Sequence, residues 1–487
     1  MGMIMKKILA GAAALLGTAV SAQAADMAVK APYLKAPVAM VYDWTGFYVG
    51  VNAGVGLGRD YTRLAIPAGP SFEASYLGPQ GGLGGAQIGY NYQTSSSFFG
   101  GPLVFGIEAD IQGTGMRDTY TCGLGCPGPL AASSQFNQRL DWFGTVRGRV
   151  GIATGPVLSY VTAGGAYGNV KTTLTETVGA AAGVFSTSQT KGGWTVGSGV
   201  EASLGGNWTG KIEYLYVNLG DRIDLFTLNG APQALSTDIR ENIFRVGLNY
   251  RINGGGNYVT PPPANWAGFY LGGNFGGGTA RDRTVLAIPS IALNETFNLM
   301  PDGFNGGIQA GYNWQAANWV FGLEADIQGS SQKDNRTCML SCNPPVAFAA
   351  YDATLPWFGT ARGRVGYSVG STLFYATGGY AYGDIKTRLT STIGGLNTVT
   401  FDKVKGGWTV GGGIETPFTF LGMFGPNWTS KSEYLYVDLG STSGIQTFPI
   451  VGAAVITGVA TTTTRVQEHI FRTGLNYHFN SPVVAKY

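Results

Sequence analysis

The chain has 487 residues and a net charge of +3, with 12% charged residues, 12% aromatics and 78 glycines. Ordinary soluble domains carry roughly 25% charged residues and about 7% glycine, and so small and dispersed a positive charge excludes a nucleic-acid footprint. Mean hydropathy is only +0.07, and past the N-terminus no apolar run reaches the ~18 residues a membrane helix needs, which excludes a helical bundle.

The N-terminus carries a targeting signal. Lys6 and Lys7 precede an apolar stretch from Ile8 to Val20, then Ala22, Gln23 and Ala24 stand before Ala25 and Asp26. Charged region, apolar region and small-residue cleavage site in that order predict a secretory signal peptide over residues 1–24, and the stretch is short for a retained anchor. The mature chain is expected to begin at Ala25, outside the cytoplasm. Residues 25–43, with Pro32 and Pro37, form a periplasmic lead-in segment.

From there the chain says nearly everything twice. WTGFYVG at Trp44–Gly50 returns as WAGFYLG at Trp266–Gly272, and FGIEADIQG at Phe105–Gly113 returns as FGLEADIQG at Phe321–Gly329. Four further blocks recur in the same order, opening at Trp142 and Trp357, Lys191 and Lys405, Asn207 and Asn427, and Phe244 and Phe471. The offsets are 222, 216, 215, 214, 220 and 227, so length changes fall between blocks and not inside them. Such a period is too long for a solenoid repeat, and each copy is expected to be a whole domain, 44–252 and 266–479.

Within the first copy, eight stretches alternate with period two, near 46–57, 84–93, 103–113, 142–152, 157–167, 194–204, 208–219 and 241–252. Each is about ten residues, the length a tilted membrane-spanning strand requires. Gaps after the first, third, fifth and seventh are long and polar or Gly-rich; those after the second, fourth and sixth are short. Long loops on one side and tight turns on the other mark outer-membrane barrels, with the tight turns periplasmic. On the first strand Phe47, Val49, Val51, Ala53 and Val55 share one face, and Gly46, Tyr48, Gly50, Asn52 and Gly54 the other. On the last, Phe244, Val246, Leu248, Tyr250 and Ile252 oppose Arg245, Gly247, Asn249 and Arg251. The apolar faces are expected to meet lipid. A soluble sandwich would turn them inward, but signal peptide, loop asymmetry and strand length argue against it.

Cys122 and Cys126, and at the matching point of the second copy Cys338 and Cys342, fall in the second long loop of each copy. No histidine lies nearby to complete a metal site, so two local disulfides in an oxidising compartment are the better reading. Residues 253–265, with Pro261, Pro262 and Pro263, link the copies, and residues 480–487 form a tail. An open sheet edge in a bilayer leaves backbone groups unpaired. The fold class is therefore all-β, a transmembrane antiparallel up-and-down β-barrel: two tandem eight-stranded barrels, or alternatively one sixteen-stranded barrel.

The few charges share strand parity. Glu108, Asp110, Arg147, Arg149, Glu201, Lys211, Glu213 and Arg245 point inward in the first copy, and Glu324, Asp326, Arg362, Arg364, Glu415, Lys431, Glu433 and Arg472 in the second. An eight-stranded interior is just filled by side chains, so opposite charges there should pair, leaving a plugged, structural barrel. In a sixteen-stranded barrel the same residues would line water and set ion selectivity. Catalysis is not expected, and no cofactor or metal is implied. The two histidines, His469 and His478, are absent from the first copy and face opposite sides of the last strand. The last loop of the second copy, Ser441–Thr464, holds the apolar stretch Val451–Ile456, read as wall extension ahead of a partner surface.

These blocks resemble the small outer-membrane β-barrel family of alphaproteobacteria, the outer-membrane immunogenic proteins or small porins, related to the OmpA-like barrel. The carrying residues are Trp44–Gly50, Gly106–Asp110, Arg147–Arg149, Gly193–Gly197, Glu213–Val217 and Arg245–Tyr250, with the same set in the second copy. The resemblance implies an eight-stranded barrel in the bacterial outer membrane, usually single, so the tandem form is a departure. It implies that barrel-assembly machinery reads the final strand through Gly474, Tyr477 and Phe479, although this chain continues past the final Phe. It also implies that the mature N-terminus at Ala25 is a candidate for covalent attachment to peptidoglycan. The function expected is structural support of the envelope and presentation of surface loops, with passive passage of small solutes as the alternative.

Overall fold

The structure, a computed structural model, describes residues 42–480 apart from 66–71, 99–100, 123–132, 179–180, 229, 253–261, 290–292, 340–348, 392–396, 419–423 and 451–455. The first copy contributes β1 (Gly46–Gly58), β2 (Asp60–Ala65), β3 (Phe72–Leu77), β4 (Gln80–Phe98), β5 (Gly101–Cys122), β6 (Ser133–Thr154), β7 (Val157–Val178), β8 (Ala181–Gly205), β9 (Trp208–Leu228) and β10 (Ala231–Ile252). The second contributes β11 (Gly268–Ala280), β12 (Asp282–Ile288), β13 (Leu293–Leu299), β14 (Asp302–Ala316), β15 (Trp319–Met339), β16 (Ala349–Val369), β17 (Thr372–Ser391), β18 (Asn397–Pro417), β19 (Trp428–Ile450) and β20 (Ile456–His478).

All belong to one antiparallel sheet system of 20 strands. β1 bonds β4 along one edge and β10 along the other, with Val49 opposite both Ile88 and Tyr250. Followed pair by pair, the ladder leaving β1 through β4 returns to it through β10. In the second copy the ladder leaving β11 through β14 returns through β20. Two-residue turns join several neighbours, and Gly155, Gly206 and Gly370 supply the positive φ such turns demand.

Each copy has the eight ladder strands expected and two more, and most of the eight are longer than the sequence pattern predicts. β5 and β6 each run 22 residues and β8 runs 25. The stretches read as long loops are largely strand: Ala181–Gln189 pairs with Val170–Val178 residue for residue. Small Thr, Ser and Ala side chains gave no apolar alternation there, but they leave the backbone free to continue a ladder once its neighbour is extended. The two additional strands in each copy are a hairpin, β2–β3 or β12–β13, that prolongs the first two barrel strands past short breaks.

Alternation is otherwise as the sequence predicts. Phe47, Val49, Val51, Val246, Leu248, Tyr250 and Ile252 are exposed, while Tyr48 and Asn52 are buried. Phe244 departs from its set. Its parity points to lipid, but it is buried because Tyr434 and His469 of the second copy pack against it, with centroids at 5.3 and 6.3 Å.

Outward aromatic pairs form two belts. Trp208–Tyr250, Trp319–Tyr367 and Trp428–Tyr477 lie at the tight-turn end. Trp194–Tyr216, Trp408–Tyr436, Trp142–Tyr167 and Trp357–Tyr382 lie further along. Trp208 and Tyr216 stand eight residues apart on β9. At ~3.3 Å per residue and a tilt of about 40° that is roughly 20 Å across, close to the ~25 Å apolar band of an outer-membrane barrel. Beyond the second belt most strands continue to a far end.

At that far end the copies join reciprocally. Arg59 reaches Asp302 and Asp334, at 2.9 Å for Asp334, and its counterpart Arg281 reaches Asp118. Nearer the membrane, between the two belts, Tyr214 packs on Phe471 as Phe244 does on Tyr434, with centroids at 6.0 and 5.3 Å. The β4–β5 ladder ends at Gln80 and Arg117, and beyond it Thr121 pairs with Thr296 of β13. Tyr120 of β5 therefore meets the second copy: the Arg336 guanidinium lies 4.5 Å from its ring and 4.9 Å from that of Phe297. One apolar cluster spans both copies here, including Leu64, Phe136 and Leu235 from the first and Leu286, Phe297 and Tyr351 from the second.

Candidate functional site

The chemistry of the chain is concentrated in two interior networks, one per copy. In the first, β5 presents Glu108 and Asp110, β6 presents Arg147 and Arg149, β8 Glu201, β9 Lys211 and Glu213, and β10 Arg245. Period-two geometry turns them all inward, and each is at most 5% exposed. Arg147 bridges Glu108, Asp110 at 2.9 Å and Glu213 at 3.1 Å. Arg245 closes the same ring on Asp110 at 2.8 Å and Glu213 at 2.6 Å. Lys211 sits 2.9 Å from both oxygens of Glu108. Arg149 pairs with Glu201 at 2.9 Å.

The second copy repeats this with its own residues. Arg362 joins Glu324, Asp326 at 3.1 Å and Glu433 at 2.9 Å; Arg472 joins Asp326 at 2.8 Å and Glu433 at 2.7 Å. Lys431 holds Glu324 at 2.9 Å and Arg364 holds Glu415 at 3.0 Å. All sixteen charges singled out from parity thus meet in two sets of four cations and four carboxylates. Charge balance and multiple hydrogen bonds are what make buried ions tolerable.

Sequence reasoning missed the neutral partners. Tyr48 donates to Glu108 Oε2 at 2.7 Å and Tyr160 to Glu213 Oε1 at 2.8 Å. The Arg149 guanidinium is held between their rings, at 4.8 and 5.2 Å. Tyr270 and Tyr375 do the same around Arg364. Asn91 and Asn313 accept from the arginine Nε atoms at 2.8 and 2.9 Å. Each lies on the inward parity, so parity applied to Tyr and Asn as well as to charges would have found them.

The histidines separate as expected. His478 is inside, its Nε2 3.0 Å from Glu415 Oε1, and His469 is on the wall, its Nδ1 2.7 Å from the Tyr434 hydroxyl. Among the described residues no three His, Cys, Asp or Glu side chains converge as a metal-ligand cluster.

On the final strand Tyr477 packs between Trp428 and Phe479, with centroids at 5.4 and 5.5 Å. Gly474 lets β11 approach, since a Cβ there would meet Gly273 O at 2.6 Å. Phe479 is 62% exposed, and its N–H donates to Phe269 O at 3.0 Å. Ala25, Cys126, Cys342 and most of Val451–Ile456 lie outside the described residues, as do the side chains of Cys122 and Cys338.

Alternating strands, aromatic belts and charge-filled interiors define a bacterial outer-membrane β-barrel protein. The family described as outer membrane protein beta-barrel domain matches residues 10–251 and again 259–479, and the chain belongs to it. The 31 kDa outer-membrane immunogenic protein of Brucella melitensis is 36% identical over 253 residues, covering 50% of this chain and 98% of that protein. The 22 kDa outer membrane protein of Rhizobium leguminosarum is 32% identical over 184 residues, 37% of this chain and 67% of that one. Among solved structures, Neisserial surface protein A aligns with 43% of this chain and 98% of its own at 16% identity, with a TM-score of 0.21.

Proposed function

We propose that this protein is a structural component of the outer membrane, built as two separately closed eight-stranded barrels, each plugged by its own ion network. The observation that carries this reading is the filled interior: Arg147, Arg245, Lys211 and Glu213, and their counterparts Arg362, Arg472, Lys431 and Glu433, are 3% exposed or less. Buried ions that satisfy one another hold walls together and leave little room for solute. The return of each ladder to its own first strand supports the tandem arrangement over one sixteen-stranded ring. The far ends would face outward and form the presented surface, in keeping with relatives named immunogenic proteins.

The protein is read as non-catalytic, with both histidines committed to packing or to an ion pair. Its partners in this reading are outer-membrane lipid, the assembly machinery that engages the last strand and, through Ala25, peptidoglycan. Cys122 with Cys126 and Cys338 with Cys342 would close two local disulfides. The deciding experiment is conductance of the refolded full chain in a planar bilayer. Silence from protein shown to be folded and inserted is expected; steady large steps would overturn the plug and make the sixteen charges pore-lining residues.

A further inference from the structure

Just beyond the second aromatic belt, each interior holds a pair of buried carboxylates that the networks below do not neutralise. In the first copy these are Asp60, at the start of β2, and Glu241 on β10, 0% and 1% exposed. Asp60 Oδ1 accepts the backbone N–H of Arg240, the residue before Glu241, at 2.8 Å. Glu241 reaches back over Gly58, two residues before Asp60, where a Cβ would meet its Oε2 at 2.7 Å. The two carboxylates therefore share one patch of the wall. Gln138 donates to Asp60 Oδ2, while Gln138 Oε1 and both Glu241 oxygens are buried without a hydrogen-bond partner.

The second copy repeats the two carboxylates, with an amide from β15, Gln332, in place of the one from β6, and the Gln332 oxygen accepts from Ser330 Oγ at 2.9 Å. Asp282 Oδ1 accepts the N–H of Gln467, the residue before Glu468, at 3.1 Å. Gln332 donates to Glu468 Oε2 at 2.6 Å, and Glu468 Oε1 is left without a partner.

Among the described residues the neighbouring cations are already paired, in the second copy Arg281 with Asp118 and Arg465 with Asp438. The network beneath is balanced four to four, so it has none to lend. Arg222 is taken by Asp224, Arg240 by Asp238 and Arg59 by Asp302 and Asp334. Arg251, the other inward cation of β10, is ten residues from Glu241, roughly 33 Å along the strand at ~3.3 Å per residue, and is held by Asp43 O and the Tyr42 ring. Two buried carboxylates of net charge −2, with both Glu241 oxygens and Glu468 Oε1 lacking a donor, suit a hard cation that takes oxygen ligands.

We propose that each copy binds one divalent cation of the Ca²⁺ or Mg²⁺ class, between Asp60 and Glu241 in the first and between Asp282 and Glu468 in the second. Bound there, the ion ties the β1–β2 break to β10, and the β11–β12 break to β20, where the barrel wall passes from the membrane to the far end. Eight amide side chains among the described residues keep an unpartnered buried oxygen; of these Gln138, through its bond to Asp60, belongs to the site.

The test uses the full chain refolded without lipopolysaccharide, with Ca²⁺ alone as the probe. Calorimetric titration should give two ions per chain, and Ca²⁺ should raise the melting temperature in a saturable way that EDTA reverses. D60N/E241Q and D282N/E468Q should each bind one ion. The quadruple variant should bind none and melt at the same temperature with or without Ca²⁺. If a double variant does not fold, E241Q or E468Q alone should weaken its own site at least tenfold. Absence of stoichiometric binding at millimolar Ca²⁺, or binding unchanged in the quadruple variant, overturns the proposal. So does a melting temperature that responds to acid but not to Ca²⁺, which would mean that protons neutralise these pairs.

Discussion

Arg147→Met removes one charge from the centre of the first network while retaining most of the side-chain volume. Arg147 is 1% exposed and touches Glu108, Asp110 and Glu213, with Nε 2.8 Å from Thr145 Oγ1. The variant leaves four buried carboxylates facing Arg149, Lys211 and Arg245. Removing one partner of a buried ion pair costs about 3–5 kcal/mol, because the remaining charge is stranded away from water. Were the same arginine in a water-lined pore, the loss would be about 1 kcal/mol or less. Equilibrium urea unfolding of the full chain in lipid vesicles separates these values. The transition of the first copy should move to lower urea by the larger amount, and Glu108→Gln added to Arg147→Met should recover part of it. A shift of about 1 kcal/mol or less would refute the buried network and with it the plugged interior. Arg362→Met should act alike in the second copy. Because the networks share no residue, the two losses should add to within about 0.5 kcal/mol.

Tyr48→Phe removes the hydroxyl that donates to Glu108 at 2.7 Å, and should cost about 1.5–3 kcal/mol, as for hydrogen bonds to charged groups; Tyr270→Phe should match it, and equal stability by urea titration would count against both. Gly54→Val should destabilise by about 1–3 kcal/mol, the usual range for overpacking, because a Cβ at Gly54 would lie 2.1 Å from Phe244 O and 2.8 Å from Arg245 Cα; a folded band on a semi-native gel that survives to the wild-type temperature would contradict it. Arg59→Ala with Arg281→Ala breaks the reciprocal clamps on Asp334 and Asp118; amide exchange should accelerate at the far ends of β5 and β15 and stay unchanged between the aromatic belts. Uniform acceleration would mean that the clamps support the barrels themselves.

Much of this protein is determined locally. Period-two alternation is enforced by the pleat, so one reading of parity assigns Glu108, Arg147 and Arg245 to an interior and Phe47 and Val246 to lipid without knowledge of any partner strand. Duplicated blocks likewise announce two domains, because a repeat of that length can close a sheet by itself. What tertiary structure decided is where the ladders end and what lies across the gap. The Thr- and Ser-rich stretches became strand because a paired neighbour supplies hydrogen bonds that no side-chain pattern encodes. Phe244 has the pattern of a lipid-facing residue and is buried against Tyr434, since parity gives a side of the wall but not the object beyond it. Register did the rest. It set Tyr48 beside Glu108, Asp60 beside Arg240 and Arg336 between Tyr120 and Phe297, all contacts between residues distant in sequence that depend on how the strands are staggered.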